Sequence, residues 1–203
     1  LLFPPGGRAP RRAGPARPSN APRAEAWVTP ASTNQTGPAR IVTLSQDHNQ
    51  RNFTLGQGLG RDESAELYDM RLRTSATDPN GAPSLTTPPG TVAAELTHVV
   101  YTHAADGQRK LYLNGLEVAG DVLGGDFAGW NPAYPLALAN ELTGGRPWLG
   151  DYYQVAIYNC VFSTDEVTAK LEAGPGNLPN QSPTASFTAN PVNGTAPLLV
   201  TFD

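Results

Sequence analysis

The stretch THVVYTHAADGQRKLYLNGLEVAG, from Thr97 to Gly120, decides the fold because it alternates short apolar runs with turn signals. Asn114-Gly115 separates two of these runs and is the dipeptide typical of a two-residue hairpin with positive backbone φ angles. Side chains alternate across a strand, so Leu111 and Leu113 are predicted to face one side of the sheet and Tyr112 the other. The stretch therefore predicts an antiparallel meander.

The same texture continues through most of the 203-residue chain, with Val, Ile, Leu, Tyr and Thr runs between Gly, Pro, Asn and Asp clusters. One segment, STDEVTAKLEAG, is predicted to be helical, because Ser163 and Glu166 form a capping box and Gly174 ends the pattern. Nine strands and one short C-terminal helix predict an all-β fold, a two-sheet antiparallel β-sandwich. The predicted strands are residues 25–30, 39–46, 51–57, 66–74, 96–103, 109–114, 116–120, 134–140 and 151–159.

Composition and charge exclude several classes of function. No apolar run approaches the roughly 18 residues of a membrane-spanning helix, so no membrane span is predicted. The formal net charge is -4, but residues 1–24 hold five arginines and no acid, which leaves the remainder of the chain strongly acidic. An acidic body argues against nucleic acid as a partner. The single cysteine, Cys160, excludes a disulfide within the chain and a multi-cysteine zinc site.

Changes in composition divide the chain into four parts. Residues 1–24 are rich in proline and arginine and are predicted to be disordered, because they offer too little apolar surface to offset the entropy of ordering. Residues 25–174 form the predicted sandwich, and residues 175–182 have the Pro, Gly and Asn content of a linker. A different pattern begins at Pro183 and runs to Asp203.

That last pattern, PTASFTANPVNGTAPLLVTFD, resembles the start of a PKD (polycystic-kidney-disease-type) domain, which runs P-x-A-x-F, then G-x-x-P, then V-x-F-D. The resemblance implies a truncated small Ig-like domain, of the kind that serves as a spacer or interaction module in extracellular proteins. It also implies further domains in the same parent chain. The matching residues are Pro183, Ala185, Phe187, Gly194, Pro197, Val200, Phe202 and Asp203.

Residues 25–174 resemble a laminin G-like domain of the Laminin_G_3 type, in the concanavalin A-like lectin/glucanase superfamily. The resemblance rests on the Trp27 strand, the hairpin at Asn114-Gly115, and a final strand with Tyr158 that leads into the Ser163 helix. It implies a jelly-roll sandwich. The acidic pair that many members carry before the last strand is absent here, where residues 150–155 read GDYYQV.

Some members of this superfamily are β-glucanases, so the sequence was tested for a catalytic pair. Retaining glycosidases need two carboxyl groups about 5–5.5 Å apart, and hydrolases of the superfamily carry them in an E-x-D-x-x-E motif. No such motif occurs, and the nearest cluster, Asp62, Glu63 and Glu66, has the character of a solvated loop. The chain is therefore not expected to be an enzyme, and no catalytic residue is assigned.

The strongest candidate for a binding loop is residues 120–134, GDVLGGDFAGWNPAY. Laminin G-like and related lectin sandwiches bind carbohydrate or protein through rim loops, so the resemblance implies a ligand site of this kind. Trp130 and Tyr134 offer flat apolar surfaces suited to a sugar, and Asn131 lies between them. These three residues are the predicted ligand contacts.

Calcium is the candidate cofactor, because the resemblance implies calcium in some members and calcium prefers hard oxygen ligands. Asp121 and Asp126 are the predicted metal ligands. The loop also has a purely structural interpretation, in which its aromatic residues cover the end of the sandwich and its aspartates cap turns. A second oxygen-rich loop, QDHN, occupies residues 46–49.

The sequence as a whole predicts a non-catalytic carbohydrate-binding or protein-binding adhesion module of a larger extracellular, secreted or surface protein. Its expected partners are a glycan or an extracellular protein, and other domains of the parent chain. A structural spacer, or an accessory domain of a secreted glycoside hydrolase, are the alternatives.

Overall fold

The computed structural model describes residues 23–35, 37–60, 63–159 and 162–176, together with two short strands near the C-terminus. It is a sandwich of two antiparallel five-stranded sheets with one short helix, which confirms the predicted fold class. Sheet I has the strand order β10-β1-β6-β7-β8 and sheet II the order β5-β4-β3-β2-β9. The elements are β1 (Arg23–Pro30), β2 (Ala39–Ser45), β3 (Arg51–Gln57), β4 (Tyr68–Leu72), β5 (Leu85–Thr86), β6 (Thr97–His103), β7 (Gln108–Leu113), β8 (Leu116–Val122), β9 (Leu136–Leu138), β10 (Gly150–Tyr158), α1 (Thr164–Ala173), β11 (Ala189–Asn190) and β12 (Thr201–Phe202).

Each of the nine predicted segments contains a strand, and the differences lie at the edges of the pattern. The two-residue strand β5 was not predicted, because so short a segment has no alternation to read. β1 begins at Arg23, so the predicted domain boundary at Glu25 falls inside this strand. Residues 1–22 lie outside the described residues, as does Cys160. Within the PKD-like stretch, only the paired strands β11 and β12 are described.

The meander of the opening stretch forms as predicted. β7 and β8 are joined by Asn114 and Gly115, whose φ angles of 48° and 81° are the positive values that this hairpin requires. Leu111 and Leu113 face the core between the sheets. Tyr112 faces the other side of sheet I, where it packs with α1.

Helix α1 begins and ends where the sequence predicts. The Ser163 side chain accepts a hydrogen bond from the backbone of Glu166, whose carboxylate accepts one from the backbone of Ser163, and Gly174 is the C-cap. The helix lies on the outer face of sheet I, where Val167 packs with Val100 and Tyr112 in a small second core. No helix in the described part of the chain is long and apolar enough to cross a membrane.

A buried polar cluster fixes α1 to sheet I. His98 Nε2 donates to Glu25 Oε1 at 3.1 Å, and Trp27 stacks on the His98 ring with a centroid distance of 4.3 Å. Lys170 of the helix lies 3.2 Å from Glu25 Oε2 and donates to the Tyr158 hydroxyl at 2.8 Å. Burial raises the pKa of Glu25, but the hydrogen bond from His98 and the charge of Lys170 outweigh it and hold this pKa below its ordinary value of 4.5.

This cluster predicts a specific pH dependence of stability. Because the folded-state pKa of Glu25 is depressed, its contribution is present above the unfolded-state value of 4.5 and is lost as the pH falls through the folded-state pKa. Glu25→Gln is therefore expected to lower the melting temperature at neutral pH, with the gap to wild type closing in acid. Thermal melts between about pH 7 and pH 3 test this. Glu117→Gln, which removes an exposed carboxylate paired with Lys110, is the control and should change little. A constant gap for Glu25→Gln would contradict the prediction.

Candidate functional site

The outer face of sheet II, on the side away from the core, is polar. Along β3, Phe53 and Leu55 enter the core while Thr54 between them faces outward. The same alternation along β4 places Asp69 and Arg71 outward. The register aligns these positions across the sheet, since Thr54 pairs with both Thr43 of β2 and Arg71. Side chains distant in sequence are thereby gathered on one surface, called here the outer polar face.

Two ion pairs lie on this face. Arg40 of β2 donates from Nε to Glu141 Oε1 at 2.6 Å, and both side chains are 1% exposed. Arg71 donates from Nε to Asp69 Oδ2 at 2.8 Å, with Asp69 fully buried. Each carboxylate is thus held by an arginine from its own face.

A hydrogen-bonded relay of buried side chains connects these charges across β2 and β3. Arg51 Nη1 donates to the Thr54 hydroxyl at 3.0 Å, and the Thr54 and Thr43 hydroxyls lie 2.6 Å apart. The Thr43 hydroxyl lies 3.0 Å from Ser45 Oγ, which donates to Glu141 Oε2 at 2.5 Å. Arg51 can only donate, and the Thr43 hydroxyl lies near two acceptors, Ser45 Oγ and the carbonyl of Phe53 at 3.2 Å. The relay joins the polar side chains of β2 and β3.

Arg51 and Arg146 have no carboxylate partner within 4.0 Å among the residues that the structure describes. The Nε atoms of both are buried without a hydrogen-bond partner in that same part of the chain. Burial, with repulsion from Arg40 and Arg71, lowers the pKa of Arg51 to about 9, which leaves it charged at neutral pH. Four guanidinium groups therefore face two carboxylates here, an excess of positive charge in a chain of formal net charge -4.

A cleft of about 350 Å³ lies beside this face, between the β2–β3 loop and the loop that follows β9. Its lining is formed by His48, Thr143, Gly144, Gly145 and Arg146. This interloop cleft is connected to the relay, because Arg51 Nη2 donates to the backbone carbonyl of His48. Asp47 directly precedes His48 in the β2–β3 loop. Its carboxylate accepts hydrogen bonds from the backbone of Asn49 and Gln50 in that loop.

Backbone contacts hold Arg146 in the wall of the cleft. The backbone N–H of Arg40 donates to the carbonyl of Arg146 at 3.0 Å, and the N–H of Arg146 donates to Asn140 Oδ1 at 2.9 Å. The stem of Arg146 runs beside Gly37, where a Cβ atom would come within 3.1 Å of Arg146 Cδ. The absence of a side chain at Gly37, whose φ is +145°, leaves the space that the arginine occupies.

Comparison with protein families decides the classification. A model of the Laminin_G_3 family, described as the concanavalin A-like lectin/glucanases superfamily, matches residues 18–168. The chain belongs to the Laminin_G_3 family. This confirms the expected resemblance over residues 25–168, and the match begins before the predicted boundary at Glu25. No curated protein matches this Laminin_G_3 chain in sequence.

Solved structures share the fold at low sequence identity. The Ruminococcus gnavus IT-sialidase CBM40 superposes with a TM-score of 0.58 at 19% identity, covering 74% of this chain and 82% of the other. Domain 4 of AbnA, a GH43 extracellular arabinanase from Geobacillus stearothermophilus in complex with arabinotriose, gives 0.52 at 19% identity, covering 76% and 68%. A heptameric SAP-like pentraxin from Limulus polyphemus gives 0.55 at 13% identity, covering 79% and 74%. At these identities the likeness establishes the fold alone.

The predicted sugar loop of this Laminin_G_3 domain uses its aromatic residues for packing. Trp130 Nε1 donates to the carbonyl of Arg73 at 2.6 Å, and the ring lies edge-on to Phe127 with a centroid distance of 5.1 Å. Tyr134 is buried, and the backbone N–H and carbonyl of Asn131 bond to the side chain of Asn52, while its own Oδ1 accepts from the backbone of Ala133. Each of these contacts serves the structural role considered for the loop, and sugar binding at Trp130, Tyr134 and Asn131 stays a prediction.

The two predicted calcium ligands each have another partner. Both oxygens of Asp121 accept from Arg109, at 2.5 and 2.9 Å, so calcium would have to compete with a bidentate ion pair. Asp126 Oδ1 accepts from the backbone of Ala128 at 3.0 Å, as in a turn cap. Across the described ranges, no three His, Cys, Asp or Glu side chains are grouped to hold a metal. Calcium binding remains a prediction.

A second, apolar cavity of about 220 Å³ lies at one end of the Laminin_G_3 sandwich. Trp130 lines it together with core side chains that include Phe53 and Leu72. Arg23 and Asn159 also line it and border undescribed residues, so the shape of its opening is not defined by the described part of the chain. No ligand is assigned to it.

The outer polar face was not identified from the sequence, although a signal was present. Arginine occurs at polar positions of three predicted strands, at Arg40, Arg51 and Arg71. The predicted loop 46–49 contributes His48 to the cleft, but the loop carrying Glu141 and Arg146 was not singled out. Recognising the site from sequence would have required the strand order of sheet II.

Proposed function

We propose that this Laminin_G_3 domain is a non-catalytic carbohydrate-binding module that holds a glycan in the interloop cleft. One observation carries the proposal: an open cleft of about 350 Å³ lies beside a fixed array of hydrogen-bonding groups. That volume is within the usual range of small-molecule sites, which combine a preformed concavity with a few fixed polar groups. The buried relay is joined to one wall of the cleft, because Arg51 donates both to the Thr54 hydroxyl and to the carbonyl of His48.

The fold supports this proposal without determining it, because one fold hosts many functions. The family model describes a lectin/glucanase superfamily. Among the structural neighbours, the sialidase CBM40 was solved with α2,3-sialyllactose and the arabinanase domain with arabinotriose. The ligands of these two neighbours are carbohydrates, which supports the proposal that this domain also binds a carbohydrate.

The arrangement of acids supports a non-catalytic role. A glycosidase needs one carboxyl group that donates a proton and a second that acts as nucleophile or base. The two carboxylates of the outer polar face, Glu141 and Asp69, are held by Arg40 and Arg71. Both carboxylates are engaged with arginine inside the face, at 2.6 and 2.8 Å, and are not presented to a ligand in the cleft.

The remaining parts of the proposal concern the parent protein. The PKD-like stretch from Pro183 to Asp203 supports a place in an extracellular multidomain chain, where this domain would bind glycan beside other modules. Adhesion to an extracellular protein and a spacer role are the competing functions. Both predict no saturable glycan binding.

The test is a glycan array followed by calorimetric titration of the best binder with the full chain. Saturable binding without release of reducing sugar is expected. His48→Ala and Arg146→Gln should weaken it by about tenfold or more, since each removes a polar group from the cleft wall. Failure of every glycan to bind, or hydrolysis of a bound one, would contradict the proposed function.

A second set of variants separates the cleft from the predicted sugar loop. Trp130→Ala, with folding checked by circular dichroism, should leave the affinity within about twofold of wild type if the cleft is the site. A loss confined to Trp130→Ala would move the site to residues 120–134. Repeating the titration with a chelator tests calcium, and a dependence abolished by Asp126→Ala would support the metal prediction.

A further inference from the structure

Two of the four arginines of the outer polar face hold a carboxylate of the described chain, and two do not. Arg40 holds the carboxylate of Glu141 and Arg71 holds that of Asp69, each at hydrogen-bond distance. Arg51 and Arg146 lie in the same group of charges but hold no carboxylate from the described part of the chain. Their Nε atoms are donors without an acceptor in those residues, although Arg51 is fully buried.

We propose that the interloop cleft binds an acidic sugar, whose carboxylate is held by Arg146 and further stabilised by the positive charge of Arg51 and Arg71. This inference rests on the carbohydrate-binding function proposed above and names the class of glycan. The ligand supplies the carboxylate that the outer polar face lacks. Arg146 makes the contact because it lines the cleft, whereas Arg51 lies beneath the loop that carries His48.

The charge distribution favours this ligand class over a neutral glycan. Four guanidinium groups, against the two carboxylates of the outer polar face and that of Asp47 in the loop of His48, leave a net positive charge beside the cleft, and an anion is attracted more strongly there than in water. A neutral sugar would leave that charge uncompensated. The formal net charge of -4 opposes a long polyanion such as nucleic acid, which would meet the acidic remainder of the surface.

The chemistry of the donors favours a carboxylate over a sulfate. A planar guanidinium matches a carboxylate with two parallel hydrogen bonds, and the neighbouring arginines of this face already bind carboxylates. Arg146 is placed for this by its backbone contacts with Arg40 and Asn140. The position of its backbone in the cleft wall is therefore set before the ligand arrives.

Two matched pairs of probes test the proposal by calorimetric titration. The first is α2,3-sialyllactose against its methyl ester, and the second is trigalacturonic acid against its methyl ester, so that the members of each pair differ only in whether the carboxylates are free or esterified. Sulfated lactose is a fifth probe. At least one carboxylated probe is expected to bind about tenfold or more tightly than its neutral partner and more tightly than sulfated lactose. Its affinity should fall as salt is raised.

Three variants test whether Arg146 is responsible for the preference for a carboxylated probe. Arg146→Gln should remove most of the preference for the carboxylated probe, and Arg146→Lys should restore part of it, because lysine keeps the charge without the planar fork. Lys110→Gln is the control, since it makes the same change in net charge on sheet I, where Lys110 pairs with Glu117. It should bind like wild type.

The outcomes distinguish this inference from the function on which it rests. Equal affinity for charged and neutral partners would overturn the acidic-sugar inference while leaving carbohydrate binding intact. Tighter binding of sulfated lactose would overturn the choice of a carboxylate. If Lys110→Gln reduced the preference for the carboxylated probe as much as Arg146→Gln, the preference would be an effect of net charge and not of a contact in the cleft. Absence of binding to every glycan on the array would overturn the proposed function itself.

Discussion

Replacing Glu141 by alanine is expected to lower the free energy of unfolding by about 3–5 kcal/mol, the usual cost of removing one partner from a buried ion pair. The variant would leave the buried guanidinium of Arg40 without its carboxylate partner. Arg40 is 1% exposed and would keep its charge in the sandwich with Arg71 and Arg146 as its charged neighbours. Ser45, whose hydroxyl donates to Glu141, would lose its acceptor at the same time.

Chemical denaturation and thermal melts measure this effect, and a fall in melting temperature of about 6–20 °C corresponds to the expected loss. The double variant Arg40→Met with Glu141→Leu is the matched control. A buried ion pair replaced by apolar side chains of similar volume is often neutral or stabilising, so at least half of the stability should return. A single variant that melts within about 2 °C of wild type would show that Glu141 is solvated in solution.

Replacing Trp148 by alanine is expected to cost a similar amount, about 3–5 kcal/mol, because it opens a large cavity between the sheets. Trp148 is 2% exposed and lies edge-on to Tyr152 with a centroid distance of 4.9 Å. The packing is tight enough that a Cβ atom at Gly150 would come within 2.3 Å of the Trp148 ring. The indole also donates to Gln57 Oε1 at 3.0 Å, which satisfies a polar group inside the sandwich.

The companion variant Trp148→Phe separates packing from hydrogen bonding. It keeps most of the apolar volume but removes one of the two donors to Gln57 Oε1, the other being Gln35 Nε2 at 3.2 Å, so a smaller loss of about 1 kcal/mol is expected. Equilibrium unfolding in urea gives both values on one scale. Equal losses for the two variants would assign the role of Trp148 to its N–H group and contradict the packing argument.

Most of the fold could be predicted from local sequence, because the signals that specify it are local. Asn114-Gly115 determines a hairpin through its own backbone preferences, and Ser163, Glu166 and Gly174 define both ends of the helix. The start of β1 was misplaced because Arg23 and Ala24 were grouped with the arginine-rich segment. In the structure both are buried in the strand.

The candidate site could not be predicted in the same way, since it depends on register and strand order. Arg40 and Glu141 are separated by 101 residues and meet because β9 pairs with β2 and its following loop returns across the sheet. An arginine on an outward strand position normally indicates a solvated face. Only the three-dimensional arrangement shows that Arg51 is buried and that no carboxylate among the described residues pairs with it. The loop around Trp130 was predicted as the site because its aromatic and acidic residues are close together in sequence, whereas the arginines are not.

Helix α1 also determines where the described part of the domain ends. It lies on sheet I, and after Gly174 the N–H of Gly176 donates to Gln154 of β10 at 3.2 Å, on that same sheet. The interloop cleft is on the sheet II side. Residues 174–176 therefore lie on the opposite side of the sandwich from the cleft, so they would not contact a ligand held there.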